Sequence, residues 1–364
     1  MALAGGFAVA ALATACGTPA APSPTAAPTK APTSAAPSVA ASAAAAVTTP
    51  VVAASTGTLT FYNAQHEDLV TLMVAGFTKE TGIKVALRSG KDFDLANQIV
   101  QEGASSPADV FITENSPAMQ VVAAKGLFAP VDKATLAQVP ARFSPTTGEW
   151  VGVAARVTVL AHNPKLLAAA ALPKSLVDLA NPEWQGKVGI APAGADFQAI
   201  VSAVLALKGE AATATWLKGL KTNAKIYTGS GAIMRAVNAG DIPAGVIYHY
   251  YWYKDRAESG ANSANVELHF FPNLDPGGFV SVSGLGALKS SKYPKEAQRL
   301  LQYLTGKNGQ QLLADSTALE YTVNSGVPPN PKLKPFSELS IPEVDIAKLN
   351  GPKVIELMQQ AGLI

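Results

Sequence analysis

From Gly57 onward, two kinds of apolar spacing take turns along the chain. "TLTFYN" (58–63), "IKVALRS" (83–89) and "ADVFITE" (108–114) read as strands. Between them, "EDLVTLMVAGFTKETG" and "DFDLANQIVQEG" place apolar residues at helical spacing and close on Gly82 and Gly103, where a helix end favours glycine. Ser116 and Pro117 then predict an N-cap and a first-turn proline for "AMQVVAAKG". Parallel neighbours need a crossover, so strand–helix–strand repetition predicts an α/β fold with a mostly parallel sheet. The second half repeats the style with "QAIVSAVLALKG", "EAATATWLKGL" and "GAIMRAVNAG" as helices. Two runs, "WVGVAARVTVLAHN" and "GFVSVSGLGALKS", are long for single strands. Each has the length to run between two sheets, which suggests two lobes and a hinge of two segments.

The first 56 residues read differently. "MALAGGFAVAALATAC" is small, apolar and uncharged up to Cys16, too short to span a membrane, which takes about 20 apolar residues. It reads as a secretory signal. It resembles a bacterial lipoprotein signal, with Cys16 as the lipidated residue. It departs from that pattern in lacking Lys or Arg ahead of the apolar run and in placing Ala13 where leucine is usual. Residues 17–56 are almost wholly Ala, Pro, Ser and Thr. Such a stretch has too little apolar surface to offset the entropy of ordering, and reads as a disordered tether.

Composition removes several functions. The formal net charge of +2 gives no basic surface for nucleic acid. The single cysteine excludes an internal disulfide and a cysteine-built zinc site. No H-E-x-x-H, G-x-S-x-G or P-loop pattern occurs.

One stretch stands out for its chemistry. "VIYHYYWYKD" (246–255) holds four of the nine tyrosines in the chain. Neighbours in a regular strand point to opposite faces, so Tyr250 and Tyr251 can aim at one spot only where the strand ends. A phenol ionises near pH 10, but a trivalent cation within bonding distance favours the phenolate. Taken alone, such a pair is more often an aromatic edge or part of a core than a metal site. His66 in "YNAQH" and Glu114 in "DVFITE" also lie just past strand ends, where open α/β sheets place their ligands. Taken alone, they read as a surface histidine and a solvated carboxylate.

The order of "LTFYNAQHEDL", "TGIKV", "GASSPADVFITEN", "NPEWQGKVGIAP", "LKGEAATATWLKGL", "AVNAGDIPAGVIYHYYW" and "LTGKNGQQLL" resembles the ferric-ion-binding proteins of bacterial ABC iron importers. The likeness runs from residue 57 to 364. It implies the bilobed periplasmic-binding-protein fold, with lobe 1 built from 57–156 and 281–331 and lobe 2 from 157–280 and 332–364. It implies Fe3+ in the interlobe cleft, held by His66, Glu114, Tyr250 and Tyr251. It also implies an extracytoplasmic monomer, anchored to the cell membrane by lipid, that serves an ABC permease and ATPase. The family completes its iron with an exogenous anion, and here the chain departs. Asp196 in "APAGADFQAIV" and Gly229 in "YTGSGAIM" replace neutral donors. The pattern predicts a helix from Phe197 with Asp196 as its N-cap. The other reading makes Asp196 an iron ligand or a selector of the anion. Asn115 stands where a polar anchor is common. Arg156 matches an arginine near the hinge, there to neutralise the carboxylates or hold carbonate; the plainer reading is a surface salt bridge. An added carboxylate and a lost donor together favour carbonate over phosphate.

Three other readings compete. A protein of the same fold for a phosphonate or sulfate has no use for the tyrosines. A metal-dependent hydrolase needs an open metal position and a general base. An adhesive surface domain leaves the cleft placement of these residues to coincidence.

Overall fold

The computed structural model describes residues 57–364; the signal, Cys16 and the tether lie outside the described residues. The elements follow the apolar spacing. In order they are β1 (Thr58–Asn63), α1 (Glu67–Thr81), β2 (Lys84–Ser89), α2 (Asp92–Glu102), β3 (Val110–Ile112), α3 (Pro117–Ala123) and α4 (Lys133–Leu136). Then come β4 (Val151–His162), β5 (Val188–Ile190), α5 (Ala195–Lys208), α6 (Glu210–Asn223), β6 (Ala224–Ile226), α7 (Ser230–Ala239), β7 (Ala244–Tyr248) and α8 (His249–Glu258). The chain ends with β8 (Glu267–His269), β9 (Val280–Ala287), α9 (Pro294–Thr305), α10 (Lys307–Asp315), β10 (Tyr321–Thr322) and α11 (Gly351–Gln360). In α1, Leu69, Val70, Met73, Val74 and Phe77 are buried, one stripe at the helical period. Gly82 ends that helix at φ +73° and donates its N–H to the Thr78 carbonyl.

The strands run β2–β1–β3–β9–β4–β7–β5–β6, with β8 and β10 also on β4. Parallel pairs form the two outer parts: β2–β1–β3 and β7–β5–β6. Antiparallel β9 and β4 lie between them. β4 belongs to both parts. Its residues Val151–Val157 pair with β9, and Thr158–His162 pair with β7. Of the two long runs, β4 thus spans both sheets, whereas β9 pairs only with β3 and β4.

The α/β architecture is bilobed. Around β5 and β7, Trp184, Phe197, Trp216 and Leu220 form one core, to which α11 adds Val354, Leu357 and Met358. Around β1 and β3, Phe61, Phe77, Val110 and Leu300 belong to another. No helix among the described residues is long and apolar enough to cross a membrane.

Candidate metal centre

The site lies where strands of both lobes end. β1 runs out at Asn63, and His66 follows as the residue before α1. Its N–H donates to the Gln65 side-chain oxygen at 2.7 Å. Glu114 and Asn115 follow β3. Their amides donate to the two oxygens of Asp92, at 2.7 and 3.0 Å, so the first residue of α2 fixes the loop carrying them. From the other lobe, β7 passes straight into α8. Tyr250 and Tyr251 therefore lie in the first helical turn, where neighbours are about 100° apart rather than on opposite faces. Their rings stack with centroids 4.2 Å apart.

Polar contacts run along and across the cleft. Tyr250 donates its hydroxyl to Glu114 Oε1 at 2.9 Å. Tyr251 donates to Asp196 Oδ2 at 3.0 Å, and Ser230 donates to the same oxygen at 3.2 Å. Asn115 Nδ2 donates to Asp196 Oδ1 at 3.2 Å, while Asn115 Oδ1 accepts from Ser281 at 2.7 Å. His66 Nε2 is 3.8 Å from Glu114 Oε1, and its ring meets Tyr250 edge-on at 5.2 Å. The structure thus brings together His66, Glu114, Tyr250, Tyr251 and Asp196. Beside them opens a cavity of about 400 Å³, lined by Asp92, Glu114, Asp196, Gly229, Ser230 and Tyr251 among others.

Three expectations change. The helix after β5 begins at Ala195, with Gly194 as its cap residue. Asp196 sits one position inside the first turn and caps nothing; its carboxylate accepts from Tyr251 beside it and from Asn115 across the cleft. Arg156 is not on the surface: it is fully buried in β4. Its guanidinium donates to the Glu114 carbonyl, to Ser283 at 2.7 Å and to Glu320 at 2.5 Å, and lies 3.5 Å from Glu114 Oε1. Ser116 precedes α3 without a side-chain cap bond. His249, the first residue of α8, is fully buried. Its Nδ1 accepts the Val157 N–H at 3.2 Å.

The sequence did not single out Glu320, Asp92 or Gln65. Asp92 carries a signal in retrospect, as an acid at the first position of a predicted helix; Glu320 in "TALEYTV" carries none.

The electrostatics are those of anions crowded out of water. Burial first, then the carboxylates of Asp196 and Glu114, push both phenols above their ordinary pKa. Burial, and next the charge of Asp196, lift Glu114 to about 7 against the pull of Arg156. Burial and the nearby Glu114 raise Asp92. Burial opposes the His66 imidazolium, but Glu320 and Glu114 outweigh it and the pKa rises. Burial acts to raise Glu320 as well, yet Arg156 and His66 hold it at about 2. Burial, helped by the charge of Arg156 and opposed by Glu320, takes His249 down to about 3. The cluster holds protons on groups that a strong cation would strip.

The fold and this cleft define a receptor for a small solute. The chain belongs to the bacterial extracellular solute-binding proteins, whose family model matches residues 105–348. Within that family its similarity is to ferric-iron-binding proteins. It is 56% identical over 306 residues to the Fe(3+)-binding periplasmic protein of Serratia marcescens, covering 84% of this chain and 90% of the relative. It is 36% identical over 308 residues to the major ferric iron-binding protein of Neisseria meningitidis serogroup B, covering 84% and 93%. The structure matches iron-bound HitA from Pseudomonas aeruginosa with a TM-score of 0.79 and 42% identity, over 84% of this chain and 99% of that one.

Proposed function

We propose that the protein captures Fe3+ in the interlobe cleft and delivers it to an ABC importer. One observation carries the reading: two adjacent phenols, each hydrogen-bonded to a carboxylate from another segment, with an imidazole alongside. These are oxygen and nitrogen donors with no sulfur, a set suited to a small hard cation. His66 Nε2, Glu114, Tyr250 and Tyr251 hold the metal, and Asp196 supplies a further oxygen. Fe3+ displaces the phenolic protons that Glu114 and Asp196 now accept. Two phenolates and two carboxylates oppose its three charges. Arg156 and Glu320 form a nearly neutral pair behind them, and Asn115 orients Asp196. An added phosphate would meet the charge of Asp196 and find no side chain at Gly229. Carbonate is the better-fitting partner if an anion joins.

The lobes are 57–156 with 281–331, and 157–280 with 332–364. The exchange of β4 from β9 to β7 after Val157 supports that division. Since each lobe holds only part of the donor set, iron favours the closed form, and a permease can distinguish it from the empty one. The protein works by binding and release without catalysis, as a monomer outside the cytoplasm. Cys16 anchors it to the membrane as a lipoprotein, and Cys16→Ser would release it or block processing. Metal analysis and the visible spectrum after ferric loading test the main reading. A phenolate-to-iron band is expected; a colourless, iron-free protein overturns it.

A further inference from the structure

Glu320 is fully buried and charged, and the metal reading above gives it no bond to the iron. It follows Leu319, a buried residue at φ +53°. A branched side chain in that left-handed region is strained, and such strain persists where the surroundings demand it. Here the turn sends the next side chain inward, just before β10. Both carboxylate oxygens are engaged. Oε1 lies 3.3 Å from His66 Nδ1. Oε2 accepts from Arg156 at 2.5 Å and from Gln65 Nε2 at 3.4 Å. Gln65 also accepts the His66 N–H, so the ring is gripped from its own backbone and from Nδ1.

We infer that Glu320 is a positioning residue for the metal, fixing the proton of His66 on Nδ1 and presenting a bare Nε2 to the cleft. The inference rests on the reading of His66 as an iron ligand. An ionised carboxylate can only accept, so the Nδ1 facing it must carry hydrogen. A neutral imidazole has one N–H, so Nε2 keeps its lone pair. Nε2 is the nitrogen on the side of Glu114, 3.8 Å from its Oε1. Outer carboxylates of this kind fix the tautomer and raise the basicity of a ligating histidine.

The test is a double-mutant cycle in the full-length protein, with ferric nitrilotriacetate as the iron source. Glu320→Gln should weaken ferric binding about 10- to 100-fold when His66 is present. In a His66→Ala background the same change should alter binding by no more than about twofold, since its route to the metal is gone. A structural role alone would give equal losses in both backgrounds, and that result overturns the inference. If Glu320→Gln fails to fold, nitrogen NMR on the iron-free wild type at mildly alkaline pH decides. Nδ1–H with an unprotonated Nε2 supports the assignment, and the opposite tautomer defeats it. A wild type that takes up no ferric iron sinks the metal reading and this one together. A wild type that binds iron but shows equal losses sinks this one alone.

Discussion

Protonation of Glu114 should stabilise the iron-free protein as the pH falls. The perturbation is a fall in pH from about 7 to about 4.5, the span between the Glu114 pKa in the fold and its ordinary value. A carboxyl whose pKa is raised by folding binds its proton more tightly in the folded chain. Protonation then favours folding, so stability grows as pH falls through 7 and levels off below 4.5. At about 1.4 kcal/mol per pH unit, Glu114 contributes at most about 3 kcal/mol. Asp92 is raised too and acts in the same direction. So does His66, whose stabilisation is complete below 6.5 and is lost as pH rises through its higher folded value. Glu320 acts oppositely: its contribution is full above 4.5 and is lost as pH falls towards 2. His249 also acts oppositely within this span: its buried ring, at about 3, stays neutral while the unfolded chain takes up the proton below 6.5, so the Glu114 share is read as the difference between the wild type and Glu114→Gln. Urea unfolding followed by tryptophan fluorescence reads that difference, which should grow towards about 3 kcal/mol as pH falls from about 7 to 4.5. Ferric loading reverses the trend, because the metal needs Glu114 and the phenols deprotonated. A Glu114→Gln variant whose stability follows the wild-type pH profile over this range refutes the reasoning.

Three further outcomes follow from the site. Tyr250→Phe and Tyr251→Phe should each weaken ferric binding and its visible band more than His66→Ala does, read by titration against a competing chelator; equal effects would remove the phenolates from their leading role. Asp196→Asn should weaken iron binding whether or not phosphate is added, and intact binding without phosphate would show that its carboxylate is no ligand. Arg156→Met leaves Glu320 charged and buried without its guanidinium partner, a loss of about 3–5 kcal/mol and roughly 5–8 °C in Tm for a domain of this size. Adding Glu320→Leu should restore most of that loss, and a single variant that melts like the wild type would contradict the pairing.

Much of this was legible because it is local. The alternation of spacings marks the strands and helices, Gly82 marks an end, and the length of "WVGVAARVTVLAHN" marks the strand shared by both sheets. Tyr250 and Tyr251 announce themselves by adjacency. What was missed depends on distant partners. An acid in a first helical turn looks the same at the cap as one place inside it, and only Tyr251 beside it and Asn115 across the cleft reveal what Asp196 holds. Arg156 left a surface ion pair open beside a role among the carboxylates, because nothing nearby says that Glu320 waits for it. That partner arrives through β10, which pairs with β4 at Ala154 and Ala155, beside Arg156 itself.

The unbroken passage of β4 through both sheets bears on the kinetics of capture. The two half-sites are tethered by one continuous strand, so an ion that meets either half finds the other at high effective concentration. Only the first contact is bimolecular; every later bond forms within the complex. Escape then requires both halves to let go together, since an ion released by one is retaken by its neighbour. A transporter that pries the lobes apart removes that recapture, and can speed the departure of the metal without touching it.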